Sequence, residues 1–84
     1  MNKKQRQTLD KIFENPERSD ILWANIEALF IALGAEIYEG SGSRVRIALN
    51  DVRAVFHRPH PAKVTNKGTV KSVRRFLQEA GVTP

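Results

Sequence analysis

The fold is decided by residues 40–61, which read GSGSRVRIALNDVRAVFHRPHP. After a Gly-Ser-Gly turn, apolar and polar side chains alternate along 43–49 and 52–57, which is typical of β-strands with one buried face. Between these runs, Asn50 and Asp51 both tolerate the positive φ angles that a two-residue hairpin loop requires. The stretch therefore predicts a β-hairpin whose loop is Asn50-Asp51.

This loop fixes which residues of the two strands stand opposite each other. Six apolar side chains share one face in this register: Val45 opposite Phe56, Ile47 opposite Ala54 and Leu49 opposite Val52. The other face carries Arg46, Arg53 and Val55. At its open end Arg44 lies directly across from His57, close enough for the two side chains to interact. The register therefore predicts an apolar face for a core and a basic face that holds a histidine.

The composition describes a small basic protein. Its 84 residues include 14 Lys and Arg against 9 Asp and Glu, for a net charge of +5. This excess favours an anionic partner, with nucleic acid ahead of an acidic protein or a membrane surface, although a generic basic surface is the alternative interpretation. The absence of cysteine excludes disulfides and thiolate metal sites, and no apolar run suits a membrane span or a signal peptide. We expect one cytoplasmic domain over residues 1–84.

Two helices are predicted before the hairpin. Residues 1–14 have helical apolar spacing and stop before Pro16, because proline disfavours a helical residue before it. Residues 23–33 place apolar side chains at i, i+3, i+4 and i+7, the pattern of a helix facing a core, and Gly34 ends that helix. We expect Trp23 to be a core anchor; a base-stacking platform is the alternative.

A third helix is predicted after the hairpin. Asn66 is a good N-cap, Gly81 closes the helix, and the buried stripe consists of Val70, Val73, Leu77 and Ala80. Lys67, Lys71 and either Arg74 or Arg75 project from another side. Lys63 and Lys67 flank the helix N-terminus, where amide groups and the helix dipole favour anions. Phosphate contact is one interpretation of these lysines, and a solvated face is the other.

The order of these elements predicts an α+β fold. Residues 35–39 alternate as a first strand, which gives a three-stranded antiparallel sheet packed by helices on one face. The prolines at 59 and 61 end the sheet because they cannot donate to its ladder. The full order is α-α-β-β-β-α. Without an accessory first helix in residues 1–15, it is the order of double-stranded-RNA-binding domains, which present a helix N-terminus to phosphates.

Residues 25–82 resemble the HicA family, small toxins of bacterial and archaeal type II toxin–antitoxin systems. We therefore expect a HicA-like core over residues 22–82. The matching pieces are 26–34 (IEALFIALG), Gly42-Ser43, His60-Pro61, Lys67-Gly68-Thr69 and 76–81 (FLQEAG). The resemblance implies a double-stranded-RNA-binding-like fold and cleavage of mRNA without a metal or other cofactor. It also implies neutralisation by a HicB-like antitoxin.

This sequence differs from the family at the catalytic histidine, which in the family follows the Gly-Ser. Here Arg44 occupies that position, and arginine stays protonated and cannot act as a base at neutral pH. The register places His57 beside it, and histidine can accept the proton that cleavage through a 2′-hydroxyl releases. The candidate catalytic residues are thus His57, Arg44 and Ser43, with Arg44 stabilising phosphate charge. The alternative is that His57 is an exposed strand residue without a role.

The remaining candidates concern binding. The residues expected to contact RNA are Arg44, Arg46, Arg53, Lys63, Lys67, Lys71 and Arg74. His60 is expected to fix its turn through a hydrogen bond rather than to catalyse, and no third ligand joins the two histidines in a metal site. Two other functions remain open: an RNA-binding module of this fold that does not cleave, and a basic protein that mainly docks an acidic partner.

Overall fold

The computed structural model describes residues 1–84 and contains three helices and one sheet. The helices are α1 (Lys3–Ile12), α2 (Trp23–Ala32) and α3 (Lys67–Glu79), and the strands are β1 (Glu36–Glu39), β2 (Arg44–Leu49) and β3 (Val52–His57). The sheet is antiparallel throughout, in the order β1-β2-β3. The predicted fold class and element order are confirmed. None of the helices combines the length and the apolar character needed to cross a lipid bilayer.

The central hairpin forms in the predicted register. Asn50 and Asp51 have φ angles of 49° and 67°, as a type I′ turn requires of both loop residues. Every cross-strand pair from Leu49–Val52 to Arg44–His57 is the predicted one. The amide of Asn50 also donates a 2.8 Å hydrogen bond to the carbonyl oxygen of Ala80. This bond ties the turn to the C-terminal end of α3.

The helix ends follow from local side-chain chemistry. A capping box starts α1, where Asn2 and Gln5 each accept a 2.9 Å hydrogen bond from the other's backbone N–H. Asn66 caps α3 by accepting from the N–H of Thr69 at 2.8 Å, as predicted. Gly34 follows α2 with a φ of 87°, a left-handed conformation that glycine adopts without steric cost. The predicted boundaries therefore hold to within two residues at either end.

The core lies between the sheet and the three helices. Val45, Ile47 and Phe56 bury the inner face of the hairpin against apolar side chains of the helices. Trp23, Phe30, Phe56 and Phe76 form an aromatic cluster with ring centroids 5.7–6.4 Å apart. Because Trp23 is buried in this cluster, it is the predicted core anchor, and its ring is not free to stack on a base. The outer face of the sheet stays exposed.

An arginine attaches the N-terminal helix to the rest of the domain. Arg74 on α3 donates to the carbonyl oxygens of Ile12, the last residue of α1, at 3.0 Å and of Glu14, two residues further on, at 3.3 Å. It also forms a 3.1 Å ion pair with Glu17. The carbonyls at a helix C-terminus lack partners within the helix, and cations there are favourable. Arg74 therefore caps α1 from a neighbouring helix.

Candidate functional site

The candidate site lies at the open end of the β2–β3 hairpin. Arg44 and His57 form the last cross-strand pair, and both side chains are exposed on the outer face of the sheet. The hydroxyl oxygen of Ser43 is 3.4 Å from Nδ1 of His57, at the long end of hydrogen-bond range. The structure thus brings together all three residues that the sequence proposed for catalysis. When Ser43 accepts from Nδ1–H, the other ring nitrogen, Nε2, carries the lone pair that can take a proton.

The loop before β2 packs tightly against the backbone of Arg44. The N–H of Gly40 donates to the carbonyl of Arg44 at 2.9 Å, and the N–H of Arg44 donates to the carbonyl of Ser41 at 3.2 Å. A Cβ atom on Gly40 would lie 3.1 Å from the Cβ of Arg44 and 3.2 Å from its carbonyl oxygen. Glycine at this position therefore permits the close approach that sets where Arg44 begins its strand.

A clamp centred on Arg58 anchors the site from the other side. The N–H of Arg58 donates to the carbonyl of Ser43 at 2.9 Å, which continues the β2–β3 ladder past His57. Its guanidinium forms two hydrogen bonds to Glu27 on α2, at 2.6 and 3.1 Å, and two to Glu39 on β1, at 2.6 and 2.9 Å. Hydrogen bonds to Glu39 and Glu27 raise the pKa of Arg58, and the bond to Arg58 lowers the pKa of Glu39. The clamp thus joins α2, β1 and the exit of β3.

A second partner holds the buried end of this clamp. The indole N–H of Trp23 also hydrogen-bonds to the carboxylate of Glu27. Because Trp23 belongs to the aromatic cluster, the clamp connects the candidate site with the core. Sequence reasoning did not identify Arg58, Glu27 or Glu39 as site residues. The three are distant along the chain, and no motif links them.

The predicted RNA-contacting residues fall into two exposed groups. Arg44 and Arg46 on β2 and Arg53 on β3 lie on the outer face and take part in none of the ion pairs of the structure. The second group is at the start of α3 and consists of Lys63, Lys67 and Lys71. Arg74 joins neither group, because its side chain is mostly buried and its donors are used at the end of α1.

The lysine group and Arg44 lie at the same end of the domain, whereas Arg53 lies beside the Asn50 turn at the other end. The C-terminal end of α3 contacts the Asn50 turn through the carbonyl of Ala80. The start of α3 lies toward the opposite end of the hairpin, because the N–H of Trp23 donates to the carbonyl of Lys63 and the Trp23 ring packs on Phe56, next to His57. Thirteen helical residues and six strand residues both span about 20 Å, so the ends correspond. Lys67 and the candidate catalytic pair therefore share one end of the molecule.

The second histidine has a different environment. His60 is exposed, and its imidazole takes part in none of the hydrogen bonds of the structure. The predicted hydrogen bond that would fix its turn is therefore not formed. No group of three His, Asp or Glu side chains lies close enough to hold a metal ion.

One exposed aromatic residue escaped the sequence-based choice of site residues. Tyr38 lies on the outer face of β1, and its hydroxyl donates to the carboxylate of Glu36 at 2.6 Å. This bond to Glu36 raises the pKa of Tyr38. The alternation of residues 35–39 was a signal for its position, because it places Glu36 and Tyr38 on one face.

One of the comparisons with known proteins gives a match, and it covers most of the chain. A family model described as the HicA toxin of bacterial toxin–antitoxin matches residues 23–82. The matched region runs from the start of α2 past the end of α3 and leaves α1 outside. No curated protein and no solved structure matches the chain.

Proposed function

Because the chain belongs to the HicA family, the toxins of bacterial toxin–antitoxin systems, we propose that it binds mRNA and cleaves it with His57 as the base. The observation that carries this proposal is the pairing of His57 with Arg44, with the hydroxyl of Ser43 at 3.4 Å from the imidazole. An imidazole thus lies next to the position where the family has its catalytic histidine. Cleavage of mRNA would arrest translation.

In the proposed reaction, Nε2 of His57 takes the proton of a ribose 2′-hydroxyl. The 2′-oxygen then attacks the adjacent phosphorus, and the bond from phosphorus to the 5′-oxygen of the next nucleotide breaks. The leaving oxygen keeps the electron pair of that bond and takes a proton from water, and the hydroxide that remains is neutralised by the proton that His57 releases. The other product ends in a 2′,3′-cyclic phosphate. Ser43 contributes by accepting a hydrogen bond from Nδ1–H, which keeps Nε2 free to act as the base.

Arg44 has a separate role in this proposal. Its guanidinium carries a permanent positive charge and presents planar donors that match a phosphate. Charge accumulates on the nonbridging oxygens during the attack, and a fixed cation beside the imidazole stabilises it. Arg44 therefore binds and stabilises the reacting phosphate, while His57 moves the proton.

The basic surface around this pair would hold the RNA backbone. Arg46 and Arg53 extend it across the outer face, and Lys63, Lys67 and Lys71 extend it at the start of α3. The cap on α3 uses only the N–H of Thr69, so the other first-turn amides remain available for a phosphate. Contacts of this kind give affinity without reading sequence.

The chain's counterpart in a toxin–antitoxin system is an antitoxin. We propose that this partner is HicB-like, presents an acidic surface and covers the Arg44–His57 face. Charge complementarity of this kind accelerates association and fixes orientation. Because the proposed substrate is mRNA, both proteins would meet in the cytoplasm.

A second candidate function is RNA binding without cleavage. The observation in its favour is Arg44 itself, which replaces the histidine of the family pattern and cannot act as a base. Docking of an acidic partner as the main role would require the chain to have little affinity for RNA. RNA degradation separates the first two candidates, and RNA affinity of the isolated protein separates both from the third.

Induced expression in cells tests the proposal. We expect the wild type to arrest growth and degrade RNA, and His57→Ala to do neither although it accumulates to the same level. The matched control is His60→Ala, which removes an exposed histidine only three residues away and should behave like the wild type. Arg44→Ala should slow degradation without abolishing it. If His57→Ala degrades RNA as the wild type does, the base is another group.

A further inference from the structure

The outer face of the sheet carries an aromatic and an aliphatic side chain in one cross-strand row. Tyr38 pairs with Arg46, and Arg46 pairs in turn with Val55. Tyr38 is 48% exposed and Val55 is 52% exposed, so both side chains are open to solvent. A guanidinium therefore stands between two uncovered apolar side chains.

The next row opens into a concavity. It consists of Glu36, Ala48 and Arg53, and the short side chain of Ala48 in the central strand forms the floor. With Tyr38 and Val55 beside it, the concavity is open to solvent on one side and offers about 500 Å³. Sites for small organic ligands typically measure about 300–1,000 Å³. The space therefore suits a group the size of a nucleobase with its sugar.

Charge on this face selects an anionic occupant. Arg46 and Arg53 have no carboxylate partner. The one carboxylate among the outward residues of the strands is that of Glu36, which is engaged by the hydroxyl of Tyr38 at 2.6 Å. Since that bond satisfies the polar end of Tyr38, the surface left for a ligand is the face of its ring.

Single-stranded RNA supplies both features that such a face requires. Its unpaired bases stack on exposed aromatic rings, while arginines follow the phosphates. A duplex keeps its bases stacked on each other, and an acidic peptide offers carboxylates but no flat base. The Arg44–His57 pair occupies the row beyond Arg46, about 7 Å further along the strands.

We propose that the outer face of the sheet binds a single-stranded segment of RNA, with one base stacked on Tyr38 above Ala48 and its phosphates on Arg46 and Arg53. This inference rests on the proposed function and specifies its substrate class. The bound segment would continue into the row of Arg44 and His57, where a flexible single strand can align its 2′-hydroxyl for cleavage. The sheet face would thus select unpaired RNA.

The test compares a fluorescently labelled single-stranded RNA with its blunt duplex by fluorescence anisotropy. Tyr38→Ala should weaken single-strand binding about 5- to 150-fold, which is the range for loss of one base–aromatic stack. Tyr38→Phe keeps the ring and should bind like the wild type. Ala48→Leu fills the floor and should also weaken single-strand binding. The matched control is Ile31→Ala, which removes an exposed apolar side chain from α2 on the helical side of the sheet and should change nothing.

The outcomes separate this inference from the function on which it rests. If the wild type binds RNA and Tyr38→Ala binds the single strand equally well, the inference is overturned and the proposed function stands. Equal losses for single strand and duplex would also overturn it, because stacking on an unpaired base would not explain them. A wild type without RNA affinity would overturn both. Thermal unfolding of each variant confirms that the compared proteins are folded.

Discussion

Replacing Arg58 with alanine should lower the free energy of unfolding by about 2 kcal/mol. The guanidinium bridges two carboxylates in different surroundings, because the side chain of Glu27 is 20% exposed and that of Glu39 is 70% exposed. The bridge to Glu39 contributes the smaller share, because solvent screens an ion pair with an exposed carboxylate. Loss of the bridge to Glu27 leaves a half-buried carboxylate with the indole of Trp23 as its remaining partner. After a discount for the solvent exposure that Glu27 retains, this bridge contributes about 1–2 kcal/mol.

The measurement is thermal and urea unfolding at neutral pH, followed by circular dichroism. A loss of about 2 kcal/mol corresponds to a fall in Tm of about 8–16 °C in a domain of this size. Arg18→Ala is the matched control, because Arg18 also bridges two carboxylates, Glu14 and Asp20, whose side chains are 48% and 63% exposed. It should lower the free energy of unfolding much less than Arg58→Ala does, because solvent screens both of its ion pairs. Equal losses for the two variants would refute the reasoning from burial.

The same variant has a defined pH dependence. The hydrogen bond to Arg58 lowers the pKa of Glu39 in the folded protein. A carboxyl group whose pKa is lower in the folded than in the unfolded state contributes stability above its unfolded pKa and loses it as pH falls through the folded value. The stability difference between wild type and Arg58→Ala should therefore shrink in acid, below the usual pKa of glutamate. A difference that stays constant from neutral to acid pH would contradict this.

Further predictions address binding, titration and the turn. RNA affinity should fall steeply with salt. The logarithm of the binding constant plotted against the logarithm of salt concentration should have a slope of about −4 if all proposed Arg and Lys contacts form on a single strand. An affinity that does not change with salt would remove the electrostatic basis of the proposal. Tyr38 is the only tyrosine, so tyrosinate absorbance should show a midpoint above the usual one, and Glu36→Gln should bring it back. Asp51→Gly should raise the free energy of unfolding by about 0.5 kcal/mol, because glycine adopts the left-handed φ of 67° without steric strain and this gain exceeds its entropy cost. A lower free energy of unfolding would contradict strain at this residue. The antitoxin should block RNA binding, and a complex that still binds RNA would exclude occlusion of the Arg44–His57 face.

The hairpin could be predicted from sequence because its determinants are local. Two adjacent residues that tolerate positive φ fix the loop, and strict alternation then leaves one register that buries a single face. The juxtaposition of Arg44 and His57 follows from that register alone. Asn66 was recognisable for the same reason, since an N-cap depends on the residues that directly follow it.

The Arg58 clamp and the place of Arg74 could not be predicted, because both depend on how distant elements dock. Glu27 and Glu39 become neighbours only when α2 packs beside the sheet edge. Arg74 lies outside the apolar stripe of α3, so its charge suggested an exposed role. Its actual partners are the backbone carbonyls at the end of α1 and the carboxylate of Glu17. Sequence periodicity locates the face of a helix but not the helix that covers it.

The most direct test of the proposed chemistry is the cleavage rate of a single-stranded RNA by the purified protein without its antitoxin. Removing a positioned proton-transfer group typically lowers the reaction rate about 10²–10⁴-fold, and His57→Ala should show such a loss. Its Tm should stay close to that of the wild type, because an exposed strand substitution changes stability by less than about 0.5 kcal/mol. Equal cleavage rates for wild type and His57→Ala would contradict the assignment of His57 as the base.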